Sequence, residues 1–307
     1  MMRSNNKLGS PPFFSVVINC RNSERFLTDC LNSVSRQSFR DFEVIVWNNA
    51  STDKTGKIAE SFEEKDSRFR LFHSVDDLKL GEARNLAIGQ SRGYFIAFLD
   101  SDDLWDPNFL HEHAEILGQT SAKIFGIGNV QVIDSKFELR QIELMKSKSV
   151  PELPPKSIFP RLLRGNIVYF SSLVMPRSFF SANSGFNPCY VQAEDYEILL
   201  RLSQQMKCYK AGQVFYRIHQ DNATNRQEEN LYLEEIEILQ LYRSKFWACF
   251  SLYLAAGNYF LFLKGIPFKH RTSKLRKTDL NLGEIYLGVL MALTVRFRMK
   301  IRGRLAK

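Results

Sequence analysis

Three acids, Asp100, Asp102 and Asp103, stand within four positions at the end of an apolar run, YFIAFLDSDDLWDP, Tyr94 to Pro107. A buried carboxylate without a partner is strongly disfavoured, so a strand that delivers several to one spot calls for a compensating cation or open water. Asp-x-Asp at a strand end suits a divalent ion, Mg2+ or Mn2+. Such an ion takes few protein ligands and leaves coordination positions for phosphate oxygens and water. A second acidic pair, Glu194 and Asp195, opens the helix-like segment QAEDYEILLRLSQQ, where acids also complement the helix dipole. Arg84, in EARN near the start of another helix, offers a guanidinium to phosphates or a partner to a nearby acid.

Common alternatives fail on their residues. No GxGxxG follows a strand, and neither a Walker A sequence nor Gly-x-Ser-x-Gly occurs. An EF-hand loop begun at Asp100 would need glycine where Trp105 stands and glutamate where His111 stands. The five scattered cysteines form no CxxC pair, which argues against a zinc site or a disulfide framework and for a reducing compartment.

The elements that must position these acids alternate. FFSVVIN, FEVIVW, RFRLFHS and YFIAFLD read as strands, and RFLTDCLNSVSRQ, TDKTGKIAESFEE and EARNLAIGQSRG read as helices between them. That order predicts an α/β fold with a largely parallel sheet and helices on its faces. Ligands then bind beyond the carboxyl ends of the strands, where Asn19 and Arg21, Asn48 and Asn49, and Asp100 and Asp102 collect. The segment KSKSVPELPPKS, Lys146 to Ser157, reads as a loop, NIVYFSSLVMP as a further strand and VFYRI as another. Trp105 reads either as an apolar platform for a bound ring or as cover for the sheet edge.

Four ordered blocks, SVVINCRNSERFLTDCLNSVSRQSF, FEVIVWNNASTDKT, GEARNLAIGQSRGYFIAFLDSDDLWDP and AEDYEILLRL, resemble the inverting family 2 glycosyltransferases of the GT-A fold over the first two thirds of the chain. The resemblance implies a Rossmann-like mixed sheet and transfer of a sugar, with inversion, from a nucleotide diphosphate sugar to an acceptor hydroxyl. It implies nucleobase contacts at Asn19, Arg21 and Asn49, with Asp100 near the ribose or metal and Asp102 on the metal. It further implies Asp195 as the base with Glu194 beside it, and His219 in YRIHQDNAT near the metal or diphosphate. Asn222 is a weaker candidate. The chain departs from the family pattern in ending its second strand with Asn48 and Asn49 rather than paired aspartates, and in carrying Arg21 at an aromatic position. A UDP-sugar is the expected donor, and amides offer donors as well as acceptors to a nucleobase.

Charge is uneven. From Lys264 onward twelve basic residues face only Asp279 and Glu284, so that tail is +10 and the remainder of the chain −1. Phe246 to Leu263 carries no charge and Ile285 to Val295 is a shorter apolar run. A spanning arrangement would put the basic residues on the wrong side of the membrane, whereas helices lying in the interface put them on anionic headgroups. No recognition fold for nucleic acid is evident, so no nucleic-acid partner is expected. The expected organisation is a catalytic domain over 1–220 and a helical, basic and apolar membrane-associating segment over 221–307. The first residues lack the apolar core of a secretory signal. The expected location is therefore cytoplasmic, peripheral on the inner face of the cell membrane, where the work is adding a sugar to a glycan or lipid-linked acceptor of a surface polysaccharide. The non-catalytic rival is a nucleotide-sugar-binding or membrane scaffold protein.

Overall fold

The computed structural model describes residues 10–137, 152–163, 165–220 and 228–242. The segments Phe246 to Leu263 and Ile285 to Val295, the basic tail and Asn222 lie outside the described residues. The chain divides into two compact units, Met1–Ile158 with Val168–Asn222 and Phe159–Ile167 with Ala223–Lys307.

Four parallel strands form one side of the first unit. They are β1 (Phe14–Cys20), β2 (Phe42–Asn49), β3 (Phe69–Ser74) and β4 (Phe95–Phe98). The apolar runs of β1, β2 and β4 are buried almost continuously, the pattern of strands covered on both faces, whereas β3, at the end of the strand order, is mostly half-buried. In-register pairing joins Phe14 to both Phe42 and Phe95, and Val44 to Phe69. Beyond β4 come β5 (Leu104–Trp105), β6 (Ile124–Asp134), β7 (Glu152–Lys156), β8 (Val174–Pro176) and β9 (Lys207–Ile218). The order is β3-β2-β1-β4-β8-β6-β9-β5, with β7 also on β9. β6 and β9 pair in parallel along most of their length, whereas β8, β5 and β7 run antiparallel to their partners.

Helices fill the connections. In α1 (Leu27–Ser35) the buried residues Leu27, Cys30, Leu31 and Val34 make one apolar stripe of helical period. Then follow α2 (Thr55–Lys65), α3 (Leu80–Gly89) and α4 (Phe109–Gly118). Glu82 accepts the backbone N–H of Lys79 at 3.3 Å and so closes the first turn of α3. His113 of α4 bonds the Tyr209 hydroxyl at 2.8 Å, and burial pushes its pKa down to about 3. A Cβ on Gly126 would stand 2.6 Å from both side chains, so the pair requires glycine there.

Two expectations are corrected. Of NIVYFSSLVMP only Val174–Pro176 is strand, and Phe170–Ser172 is a 3-10 turn; the hydrogen bonds of Ser171 to the acidic loop, described below, hold it off the sheet. The described part of KSKSVPELPPKS is not loop. It is β7, paired to β9 at Glu152↔Lys210 and Lys156↔Cys208, a marginal position that tolerates prolines without N–H groups. Helix α5 (Phe159–Leu162) belongs to the second unit, and α6 (Ser178–Asn183) and α7 (Glu194–Gln205) to the first. In α7 the expected inward residues Ile198, Leu199 and Leu202 are fully buried.

The second unit contains α8 (Glu228–Gln240), with Ile238 and Leu239 buried and the ring of Tyr242 5.7 Å from that of Phe159. Among the described residues no helix is long and apolar enough to cross a membrane.

Candidate active site

The parallel order places the carboxyl ends of β2, β1 and β4 side by side, so the polar residues that follow them share one crevice. Asp100 ends the β4 run, and Asp102 and Asp103 follow in a turn before β5.

Arg84 of α3 ties two acidic segments together. Its Nη1 donates to Glu194 Oε1 at 2.6 Å and its Nη2 to Asp100 Oδ1 at 3.1 Å, while the guanidinium carbon lies 3.7 Å above the Phe170 ring. Arg84 and Glu194 are 4% exposed and Asp100 38%. Arg84 thus spends its fork on protein carboxylates. Desolvation raises the Glu194 pKa to about 8 against the pull of Arg84, with the Asp195 charge adding to the rise. The Asp100 pKa is raised too, by desolvation and the neighbouring Asp102, with Arg84 opposing. Half-buried Asp195 stands next in α7, its Oδ1 accepting the Tyr196 N–H at 2.6 Å.

The third acid, Asp103, is fully buried and satisfied within the protein. Its carboxylate accepts the Ser171 hydroxyl and, at 2.8 Å, the backbone N–H of Arg217. Burial pushes its pKa well up, with Asp102 and Asp100 adding to the rise. Ser171 also accepts the Asp100 N–H at 3.1 Å, so one hydroxyl spans both ends of the acidic loop. The Arg217 side chain donates to the carbonyls of Asp102 at 2.9 Å and Phe137 at 2.8 Å, lies 3.7 Å from Asp29 and covers the Phe26 ring. His219, two residues on, puts Nε2 2.9 Å from Asp102 Oδ2. The acids therefore have protein cations beside them, Arg84 and Arg217.

At the far end of the crevice the described contacts join three strand ends. Arg21 pairs with Asp77, from the loop after β3, at 2.5 Å. Asn49 donates to Leu78 O at 2.8 Å and accepts from Leu78 N at 3.2 Å and from Ser74 Oγ at 2.9 Å. Asn48 is engaged with His73 and the Ser51 N–H. The amide nitrogen of Asn19 is buried without a hydrogen-bond partner.

Asp100 and Asp102, separated by one residue and each partly open, make a hard-oxygen donor set of the kind that Mg2+ or Mn2+ uses when phosphates and water complete its shell. No group of three or more His, Cys, Asp or Glu among the described residues is arranged to hold a metal alone. The residues fit a metal shared with a diphosphate.

Three contributors escape a reading of the sequence. Arg217 could be suspected from a charge inside the buried alternation of β9, and Asp77 from its place after a strand of the same sheet. Ser171 carries no signal. Trp105 is in the core: it is 1% exposed, stacked on Phe109 at 4.3 Å, and donates to Ser171 O at 2.8 Å.

The sequence model of Glycosyl transferase family 2 matches residues 15–183, just over half of the chain. The chain belongs to glycosyl transferase family 2. Its relatives include the uncharacterized glycosyltransferase EpsJ of Bacillus subtilis, 33% identical over 117 residues, 38% of this chain and 34% of that protein. Poly(ribitol-phosphate) beta-N-acetylglucosaminyltransferase TarS of Staphylococcus aureus is 32% identical over 172 residues, 51% of this chain and 29% of TarS. The chain thus spans about a third of the length of these curated relatives. The crystal structure of TarS 1-349 superposes with TM-score 0.66 at 19% identity, covering 90% of this chain and 80% of that one, and the same fragment has been solved with UDP-GlcNAc. GalNAc-T7, solved with UDP, GalNAc and Mn2+, superposes with TM-score 0.61 at 14% identity, covering 81% and 51%. This family 2 glycosyltransferase accordingly has the GT-A fold, a mixed sheet whose long ladders are parallel, flanked by helices.

Proposed function

We propose that this family 2 glycosyltransferase moves a sugar, with inversion, from a nucleotide diphosphate sugar to a hydroxyl of a glycan or lipid-linked acceptor in surface polysaccharide synthesis, and that the donor is a UDP-sugar. The observation that carries the reading is the Arg84 bridge, which joins the acids after β4 to the acids of α7 around one crevice. The UDP-GlcNAc complex of TarS supports the choice of uridine.

Adjacent strands lie about 4.8 Å apart, so the end of β2 is roughly 10 Å from that of β4. A nucleotide with its diphosphate at Asp100 and Asp102 would reach Asn19, Arg21 and Asn49 with its base. A divalent ion on Asp102 and Asp100, with His219 close by, would neutralise the charge that develops on the departing diphosphate. Asp195 takes the proton of the acceptor hydroxyl as its oxygen attacks the anomeric carbon. The bond to the β-phosphate oxygen breaks and its electron pair leaves with the diphosphate. Arg84 holds Asp100 and Glu194 in place and has N–H donors left over for the diphosphate. Residues 1–220 perform the transfer, and 221–307 dock the enzyme on the inner face of the cell membrane through its basic and apolar segments, each basic residue contributing about 1 kcal/mol.

Calorimetric titration with UDP, UDP-GlcNAc and other nucleotide sugars, with and without Mn2+, tests the reading. Metal-dependent binding of a UDP-sugar that Asp102→Ala abolishes is the expected result. Folded protein that binds no nucleotide would leave a membrane scaffold in its place.

A further inference from the structure

A patch of exposed aromatic and apolar side chains adjoins the acids, and the inference drawn from it rests on the transfer reading above. Along the end of β9 the residues alternate: Phe215 and Arg217 are buried on one face, while half-buried Tyr216 and exposed Ile218 share the other. β6 matches that alternation, because Val132 pairs with Tyr216 and Asp134 with Ile218 in parallel register. Val132 and Ile218 are each 51% exposed. Tyr169, 42% exposed, brings its ring to 4.7 Å from that of Tyr216, inclined at 62°. An edge-to-face pair leaves broad ring faces that neither partner covers. Single exposed apolar residues are ordinary, whereas a group that shares one face marks a binding surface.

Both tyrosines are fixed by the residues that hold the acidic loop. Tyr169 leads into the turn in which Ser171 bonds Asp100 and Asp103. Between them Phe170 lies under Arg84, which holds Glu194 next to Asp195. Tyr216 directly precedes Arg217, whose N–H goes to Asp103. The patch is thus continuous with the residues around the reacting centre. We propose that it seats the acceptor and that the acceptor is a neutral pyranose ring. The apolar C–H face of that ring lies on Tyr169 and Tyr216, flanked by Val132 and Ile218, with hydroxyls toward Asp134 and the reacting one toward Asp195. The C–H bonds of such a face carry partial positive charge, and the face of an aromatic ring is negative. A polyol phosphate chain fits poorly: it has no ring to lay on tyrosine, and its phosphates would meet the carboxylate of exposed Asp134.

The experiment is saturation-transfer NMR on the full chain with UDP and Mn2+, titrated with the methyl glycosides of glucose, galactose, mannose, rhamnose and N-acetylglucosamine. Ribitol 5-phosphate and glycerol 3-phosphate represent the rival class, and calorimetry on the same samples reads UDP. The variants are Tyr169→Ala, Tyr169→Phe, which keeps the ring, and the control Tyr94→Ala, which removes an exposed tyrosine at the opposite end of β4 from Asp100. The expected result is that wild type passes saturation to the C–H protons of at least one glycoside and to neither polyol phosphate. Tyr169→Ala then weakens that glycoside about tenfold with UDP affinity unchanged, while Tyr169→Phe and Tyr94→Ala bind it as wild type does. Three results overturn the inference and leave the donor reading intact: wild type that binds UDP but no glycoside, wild type that prefers a polyol phosphate, or Tyr169→Ala that keeps the glycoside at full affinity. Wild type that binds no UDP overturns the donor reading and this inference with it.

Discussion

Arg84 and Glu194 stand 110 residues apart in the chain and meet at 2.6 Å, each side chain 4% exposed. The same guanidinium holds Asp100, so it is the counter-charge for acids from two separate parts of the fold. Replacing it with Met removes the guanidinium from buried Glu194 and from partly open Asp100 and leaves Glu194 Oε1 without that donor. Arg84→Met should cost about 3–5 kcal/mol in urea denaturation. Arg84→Lys should recover only part of that, since an ammonium cannot reproduce the fork.

Stability should also fall as pH rises through the neutral range. Glu194 keeps its proton in the folded protein up to about pH 8, whereas the unfolded chain releases it near 4.5. Its contribution is therefore fully present below about 4.5 and lost by about 8, because the unfolded state ionises first. Asp100 and Asp103, also raised, act in the same direction. Melting temperatures across that window should decline for wild type. They should decline less steeply for Glu194→Gln.

Ser171 is the smallest residue on which the acidic loop depends. Ser171→Ala removes a donor to buried Asp103 and an acceptor for the Asp100 N–H. The expected loss is about 1–3 kcal/mol, seen as a lower denaturation midpoint with unchanged slope.

Asp195→Asn separates chemistry from binding. Turnover should drop by about 10² to 10⁴ with UDP affinity retained, as for loss of a general base. Comparable loss in the affinity for UDP would instead assign Asp195 to the donor site.

Ala50 follows β2 with φ +49°, a left-handed conformation in which a Cβ costs about 1–2 kcal/mol. Ala50→Gly should relieve part of this cost and raise the melting temperature by about 2–4 °C.

Much of this was legible in the residues. The runs FSVVINC, FEVIVW and FIAF are β-branched and aromatic, and they became adjacent parallel strands because alternating helices force crossovers. Asp100 and Asp102 followed from their strand end. The partners of the acids were not legible. Arg217 lies 114 residues from Asp103 and sits inside a strand whose pairing is wholly long-range. A reading of local pattern sees a charge there and expects it outside. The prolines of Glu152–Lys156 likewise suggest a loop unless β9 is known to need an edge partner. Asn49 illustrates a different limit: the family resemblance implied its nucleobase contact, and the residues gave no sign that it also ties down the loop after β3.

The bridge made by Arg84 also limits how the gene can drift. Loss of the arginine strands two carboxylates encoded far apart, and loss of either acid leaves the guanidinium with a partner missing. Change at any one of the three positions should therefore be tolerated best where the other two change with it.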